Sequence, residues 1–183
     1  MSNDYTEKLL SSRSAYEGKL LAVKEDQVEQ PDGGRAQREY VIHPGAAMIV
    51  PLFEDYSVLL ERQFRYAVRS HFLELPAGKI DPGEAPLATA RRELLEETGY
   101  SASDWRHLAT LYPCVGYSNE HVELFLARGL THEGHPGEEG EFLECVRMGL
   151  DEALDLVTLG KITEAKTILG QLWADRLRKG EWR

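Results

Sequence analysis

Glu93, Glu96 and Glu97 stand at i, i+3 and i+4 in the stretch GKIDPGEAPLATARRELLEETGY, which runs from Gly78 to Tyr100. On a helix these three carboxylates share one side. Two such charges ~4 Å apart at an effective dielectric of ~20 repel by about 4 kcal/mol. Solvated helix faces usually place Lys among Glu at these spacings. Here only Arg92, four residues before Glu96, stands within the cluster. A divalent cation is the simplest relief. Oxygen ligands of this kind suit Mg2+, with Mn2+ as a substitute.

The elements that must position these groups are signalled locally. Pro86 suits a first helical turn. Leu87, Ala90 and Leu94 repeat as a core-facing stripe, and Gly99 follows where a left-handed cap is wanted. The preceding LPAGKIDPGE is rich in Pro and Gly and reads as a loop. The predicted order is therefore strand (HFLEL), loop, helix, with the loop presenting backbone groups toward an ion held by the helix.

This segment resembles the Nudix box: Gly, five residues, Glu, seven residues, Arg-Glu, an aliphatic, any residue, Glu-Glu, any residue, Gly, an aliphatic. Gly78, Glu84, Arg92-Glu93, Leu94, Glu96-Glu97 and Gly99 fill it, and Tyr100 replaces the last aliphatic. The pieces REYVIHPGAAMIVPL, RQFRYAV, LELPAGKID and GKITEAKTI are most similar to the ADP-ribose pyrophosphatase branch. The resemblance implies an α/β/α sandwich with a mixed sheet and an N-terminal β-hairpin region. It further implies two regions, residues 1–44 for dimer and substrate contacts and residues 45–183 as the hydrolase domain.

The same resemblance implies Mg2+-dependent hydrolysis of the pyrophosphate bond of ADP-ribose, giving AMP and ribose 5-phosphate. Another nucleoside diphosphate sugar, such as GDP-mannose or ADP-glucose, or a nucleotide stays open as substrate. Val115 stands where many members of the branch carry a proline, so the sugar is not fixed. A non-catalytic ligand-binding module is the remaining alternative, but it would be expected to carry a broken box. By resemblance, Glu93, Glu96, Glu97 and the Ala77 carbonyl hold metal. Arg38, Glu39, His43, Arg65 and Glu120 contact substrate. Glu141 is the expected catalytic base, in a loop it shares with Glu138 and Glu139. Glu74 either orients nearby groups or supports the loop. Tyr16 and Tyr40 are candidates to stack on the base. His132 and His135 lack a third ligand at a helical or strand spacing, which argues against zinc.

Composition bounds the alternatives. The chain has 183 residues, 42% of them hydrophobic, and a formal net charge of −10. Such acidity disfavours nucleic-acid and anionic-membrane binding. A small anionic substrate then needs local compensation from metal and a few placed arginines. No apolar run approaches the ~20 residues of a membrane helix. The start, MSNDYTEKLL, lacks the basic and apolar pattern of a secretory leader. Cys114 and Cys145 read as buried, reduced thiols, so a cytoplasmic location is expected; the homodimer is what the resemblance implies.

Residues 18–43 read as a hairpin about PDGG, followed by strands in AAMIVPLF, YSVLLERQF, FLELP, WRHLATLYP, HVELFLARGL and FLECVRMGL. DEALDLVTLG and TEAKTILGQLWADRLRKG read as helices. Ile168, Leu169, Leu172 and Trp173 are the expected apolar face of the last.

Overall fold

The computed structural model describes residues 4–134 and 142–181. The chain divides into two compact units, Met1–Pro44 with Tyr112–His121, and Gly45–Leu111 with Val122–Arg183.

In the first unit, β1 (Lys8–Glu17), β2 (Ala22–Glu29) and β3 (Arg35–Ile42) form an antiparallel sheet in the order β1-β2-β3. The expected hairpin is β2 and β3. Its turn closes as the sequence requires: Gly33 takes φ 83°, and the Gly34 amide donates to Asp32 Oδ1 at 2.8 Å. A glycine at that positive φ avoids the Cβ clash any other residue would meet. The added strand, β1, was not legible, because KLLSSRSAYE does not alternate. Every residue of β1 is exposed, and its pairing slips between Leu9 and Ser11 and between Ser14 and Tyr16. Segment 112–121 is tied to the end of β3. The Val41 amide donates to the Tyr117 carbonyl at 2.8 Å, and the His43 amide to Asn119 Oδ1 at 2.7 Å.

The second unit carries two sheets and three helices among the described residues. Strands β4 (Ala46–Pro51), β7 (Ala77–Lys79), β8 (Tyr100–Leu111) and β9 (Val122–His132) make the order β7-β4-β9-β8. The β4–β9 pair is parallel and the others antiparallel, so the sheet is mixed. Strands β5 (Ser57–Arg65), β6 (Ser70–Glu74) and β10 (Glu144–Gly149) form the order β10-β5-β6, all antiparallel.

Period-two alternation sends β4 and β9 to two cores. Ala47, Ile49, Phe125 and Ala127 pack with Ala90 and Leu94 of helix α1 (Pro86–Thr98). Met48, Val50, Leu124 and Leu126 pack on the other side. Their partners include Leu150 and Ala153 of α2 (Leu150–Thr158) and Ala174 of α3 (Ala165–Arg178). Helices on both faces of a mixed sheet give the expected α/β/α sandwich.

Helix α3 departs from the expected apolar face. Leu172 is exposed, and the buried positions are Thr167, Gly170, Gln171, Ala174 and Asp175. The physical reason is close approach. A Cβ at Gly170 would meet Leu75 and Val50. Gly170 therefore makes the close approach, Ala174 joins the core, and Ile168 and Trp173 pack against it partly buried. The cysteines are free, as expected, but not buried: Cys114 is half-buried and Cys145 exposed.

Candidate active site

Helix α1 begins at Pro86 and stops at Gly99, whose φ of 71° and amide bond to the Leu95 carbonyl close the last turn. Between those limits Arg92 gathers the acidic groups. Its Nη1 donates to Glu93 Oε1 at 2.8 Å and to Glu96 Oε2 at 2.9 Å. Its Nε and Nη2 donate to Glu84 at 3.2 and 3.0 Å. A planar guanidinium with five N–H groups suits this, where a Lys ammonium would act as a point charge. Glu84 also accepts from the Thr89 hydroxyl at 2.7 Å. The Arg92 and Thr89 hydrogen bonds bring the Glu84 carboxyl down from 4.5 to about 2, and Glu84 pulls Arg92 up. Arg91 turns away, over the Trp105 ring at 6.0 Å.

One arginine thus binds three carboxylates, Glu84, Glu93 and Glu96, and charge is left over. Glu97 Oε2 accepts the Ala77 amide at 3.0 Å. A Cβ at Gly78 would collide with the Glu93 carboxylate, so the absent side chain is the space that carboxylate fills. Glu93 and Glu97 therefore lie against the Ala77–Gly78 backbone, as the loop-then-helix order predicts. Among the described residues no three acidic, His or Cys side chains already converge as a metal centre. The donors that α1 and the loop offer are nonetheless all hard oxygens. Carboxylates and a backbone carbonyl fit Mg2+ or Mn2+ and not a thiophilic ion.

Arg65 closes β5. Its Nε and Nη2 donate to the two carboxylate oxygens of Glu74 at 2.9 and 2.6 Å. That pair, with the Glu97 and Glu164 carboxylates adding, holds the guanidinium pKa above its ordinary value. Arg65 therefore belongs to the same neighbourhood as Glu97.

The remaining substrate candidates lie in the other unit. Arg38 pairs with Glu7 through Nε, at 2.9 Å, and Nη2. Glu39 accepts from Gln37 Nε2 at 2.9 Å, and the Glu120 amide donates to the Ser118 hydroxyl at 3.1 Å. Asn119 brings His43 beside the Glu120 segment. Tyr40 gives its hydroxyl to the buried Asp26 at 3.0 Å, whereas Tyr16 is exposed on β1. His132 packs its ring edge-on against Tyr100 at 4.9 Å. The expected base Glu141, with Glu138, Glu139 and His135, lies outside the described residues.

Two contributors were missed by the sequence reading. Thr167 Oγ1 accepts the Leu75 amide at 2.9 Å, which pins the chain two residues before Ala77. Glu164 caps α3 by accepting from the Lys166 and Thr167 amides, at 3.3 and 2.7 Å. Acid-to-amide capping of this kind was readable in TEAKT as a helix start. Its link to the loop was not, since Leu75 and Thr167 are ninety-two residues apart.

Residues 42–169 match the NUDIX domain family, and residues 7–41 match the nucleoside diphosphate sugar hydrolase N-terminal domain. This chain belongs to the NUDIX family. This Nudix chain is 36% identical to an ADP-ribose pyrophosphatase of Bacillus subtilis (strain 168), over 88% of each chain. It is 38% identical to an ADP-ribose pyrophosphatase of Mycobacterium tuberculosis (strain ATCC 25618 / H37Rv), over 89% of this chain and 80% of that one. A crystal structure of an ADP compounds hydrolase superposes with a TM-score of 0.87 at 29% identity, covering all of both chains. The resemblance to the ADP-ribose pyrophosphatase branch, and the Nudix fold expected from it, are borne out.

The Arg92–Glu84 pair of this Nudix helix makes stability pH-dependent. The folded pKa of Glu84 lies below its ordinary 4.5, at about 2. Its contribution is therefore full above the ordinary value and is lost as pH falls through the folded one. In urea melts, wild type should exceed Glu84→Gln by a constant margin at neutral pH. That margin should shrink below about pH 4.5 and vanish near pH 2. A margin unchanged down to the acid end would contradict the pairing.

Proposed function

We propose that this protein hydrolyses the pyrophosphate bond of ADP-ribose, or of a related nucleoside diphosphate sugar, in the cytoplasm with Mg2+. The observation that carries the reading is the placement of the Glu93 and Glu97 carboxylates against the Ala77–Gly78 backbone. The names of its relatives agree with this choice of substrate.

Glu93, Glu96, Glu97 and the Ala77 carbonyl would hold Mg2+, or Mn2+ in its place. When bound, the ion supplies charge neutralisation of the diphosphate and a lowered pKa for water. Water adds to one phosphorus, the bridging P–O bond breaks, and AMP and ribose 5-phosphate leave. Arg65 holds a phosphate. Glu141 accepts the proton of the attacking water as general base. Arg38, Glu39, His43 and Glu120 would contact the substrate. Little covalent chemistry is asked of the protein, because positioning and charge stabilisation dominate such transfers.

The N-terminal region is proposed to build a homodimer. Supporting this, β1 exposes Leu9, Leu10 and Tyr16 along an edge strand. Edges and apolar side chains of this kind are ordinarily covered by a partner. Sedimentation at micromolar concentration should show a dimer. A monomer that still turns over substrate would contradict the proposal.

AMP release from ADP-ribose, compared with release from ADP-glucose and of GMP from GDP-mannose, tests the substrate. ADP-ribose should lead the panel, and another sugar in first place would correct the specificity and keep the reaction. Glu97→Gln should lower turnover at least ~100-fold with the fold kept, since metal-borne charge stabilisation is worth several kcal/mol. A folded variant that works at the wild-type rate removes α1 as the reaction centre.

A further inference from the structure

Arg65 divides its guanidinium between two directions. A guanidinium has five N–H groups in one rigid plane, and its Nε edge and its Nη1–Nη2 end can each bind an oxyanion bidentately. Glu74 takes the Nε edge with both carboxylate oxygens. Among the described residues, Nη1 makes no hydrogen bond that competes for the other end. Exposure divides the same way: the Arg65 side chain is 48% exposed, the Glu74 side chain 8%. The arginine is therefore anchored from beneath by a buried carboxylate and open above.

The anchor is itself held. Glu74 ends β6 opposite Glu61 of β5, and both are buried. The next residue, Leu75, gives its amide to Thr167 of α3. Two residues further, the Ala77 amide reaches Glu97. Position of the arginine and position of the acidic helix are thus fixed through one short piece of chain. Three carboxylates, Glu74, Glu97 and Glu164, act on this one cation.

We infer that Glu74 is a positioning residue, which fixes Arg65 side-on so that its free end meets a phosphate of a diphosphate ligand. This rests on the diphosphate hydrolase reading. The alternative role for the pair is to brace the β5–β6 hairpin, and the two roles separate in binding. Side-on fixation matters only to a ligand that carries phosphate. A brace matters to every ligand equally.

The test is calorimetric binding of ADP and of adenosine to the full chain, in EDTA so that no metal contributes. Wild type should prefer ADP. Glu74→Gln keeps the shape but loses the charge-assisted fork, and should weaken ADP about tenfold while leaving adenosine unchanged. Arg65→Lys should do the same, because an ammonium cannot hold a carboxylate and a phosphate in one plane. The double variant Arg65→Ala/Glu74→Gln should bind ADP no worse than Arg65→Ala alone, since Glu74 acts through the arginine. Glu74→Asp, which restores the charge, should recover part of the loss, and thermal melts check that each variant is folded.

Three results overturn the inference: wild type binding ADP no better than adenosine, ADP and adenosine weakening together in Glu74→Gln, or additive losses in the double variant. Wild type that turns over no diphosphate sugar sinks the hydrolase reading. An active enzyme whose ADP binding ignores Glu74 sinks this inference alone.

Discussion

Everything at the acidic end of this molecule depends on Arg92. Three carboxylates on one helix side, with a fourth from the loop, would push each other apart and destabilise α1. A single guanidinium takes Glu84, Glu93 and Glu96 at once. This offsets part of the repulsion between the acids and leaves net negative charge beside the helix. Glu84 does its part from outside the helix: it holds Arg92 from the loop side, so the Nη1 group stays turned toward Glu93 and Glu96. A surface ion pair of ordinary kind contributes little. This one has several partners, and its geometry sets where the remaining carboxylates point.

The loop before α1 is the second half of the same constraint. Gly78 has no side chain where Glu93 needs room, and the Ala77 amide meets Glu97. Thr167 ties that loop to α3 through Leu75. The site is thus held by the loop, the helix that follows it and the sequence-distant α3. The overall charge of −10 fits this economy. Arg92, Arg65 and Arg38 are each already bonded to acids.

The box was legible because its requirements are local: a proline at a first turn, a glycine at a left-handed cap, acids at helical spacing. The apolar runs in AAMIVPLF and HVELFLARGL likewise announced strands, though not that successive residues serve two separate cores. Long-range facts were not legible. Nothing in KLLSSRSAYE marks β1, whose pairing with β2 is set by backbone bonds. The face of α3 was misread because apolarity was taken as the guide, whereas close packing at Gly170 selects small residues. Cys145 was expected to be buried and is exposed as a residue, yet its sulfur lies 3.6 Å from the Glu97 carbonyl. Burial of that thiol, with the Glu61 and Glu97 charges nearby, pushes its pKa up to about 11. Glu74 shows the same limit from the other side. A lone acid in FLELP gives no sign that its partner is the last residue of the previous strand.

The charge that Arg92 leaves unneutralised should hold a divalent ion beside the Ala77–Gly78 backbone. Titration with Mn2+, followed by the electron paramagnetic resonance of the free ion, measures this without reference to turnover. Wild type should bind Mn2+. Gly78→Ala, whose new methyl displaces the Glu93 carboxylate while that flexible side chain spares the fold, should bind at least about tenfold more weakly, a single lost charged ligand being worth more than ~1.4 kcal/mol. Equal binding by the two folded proteins, or none by wild type, would contradict the claim.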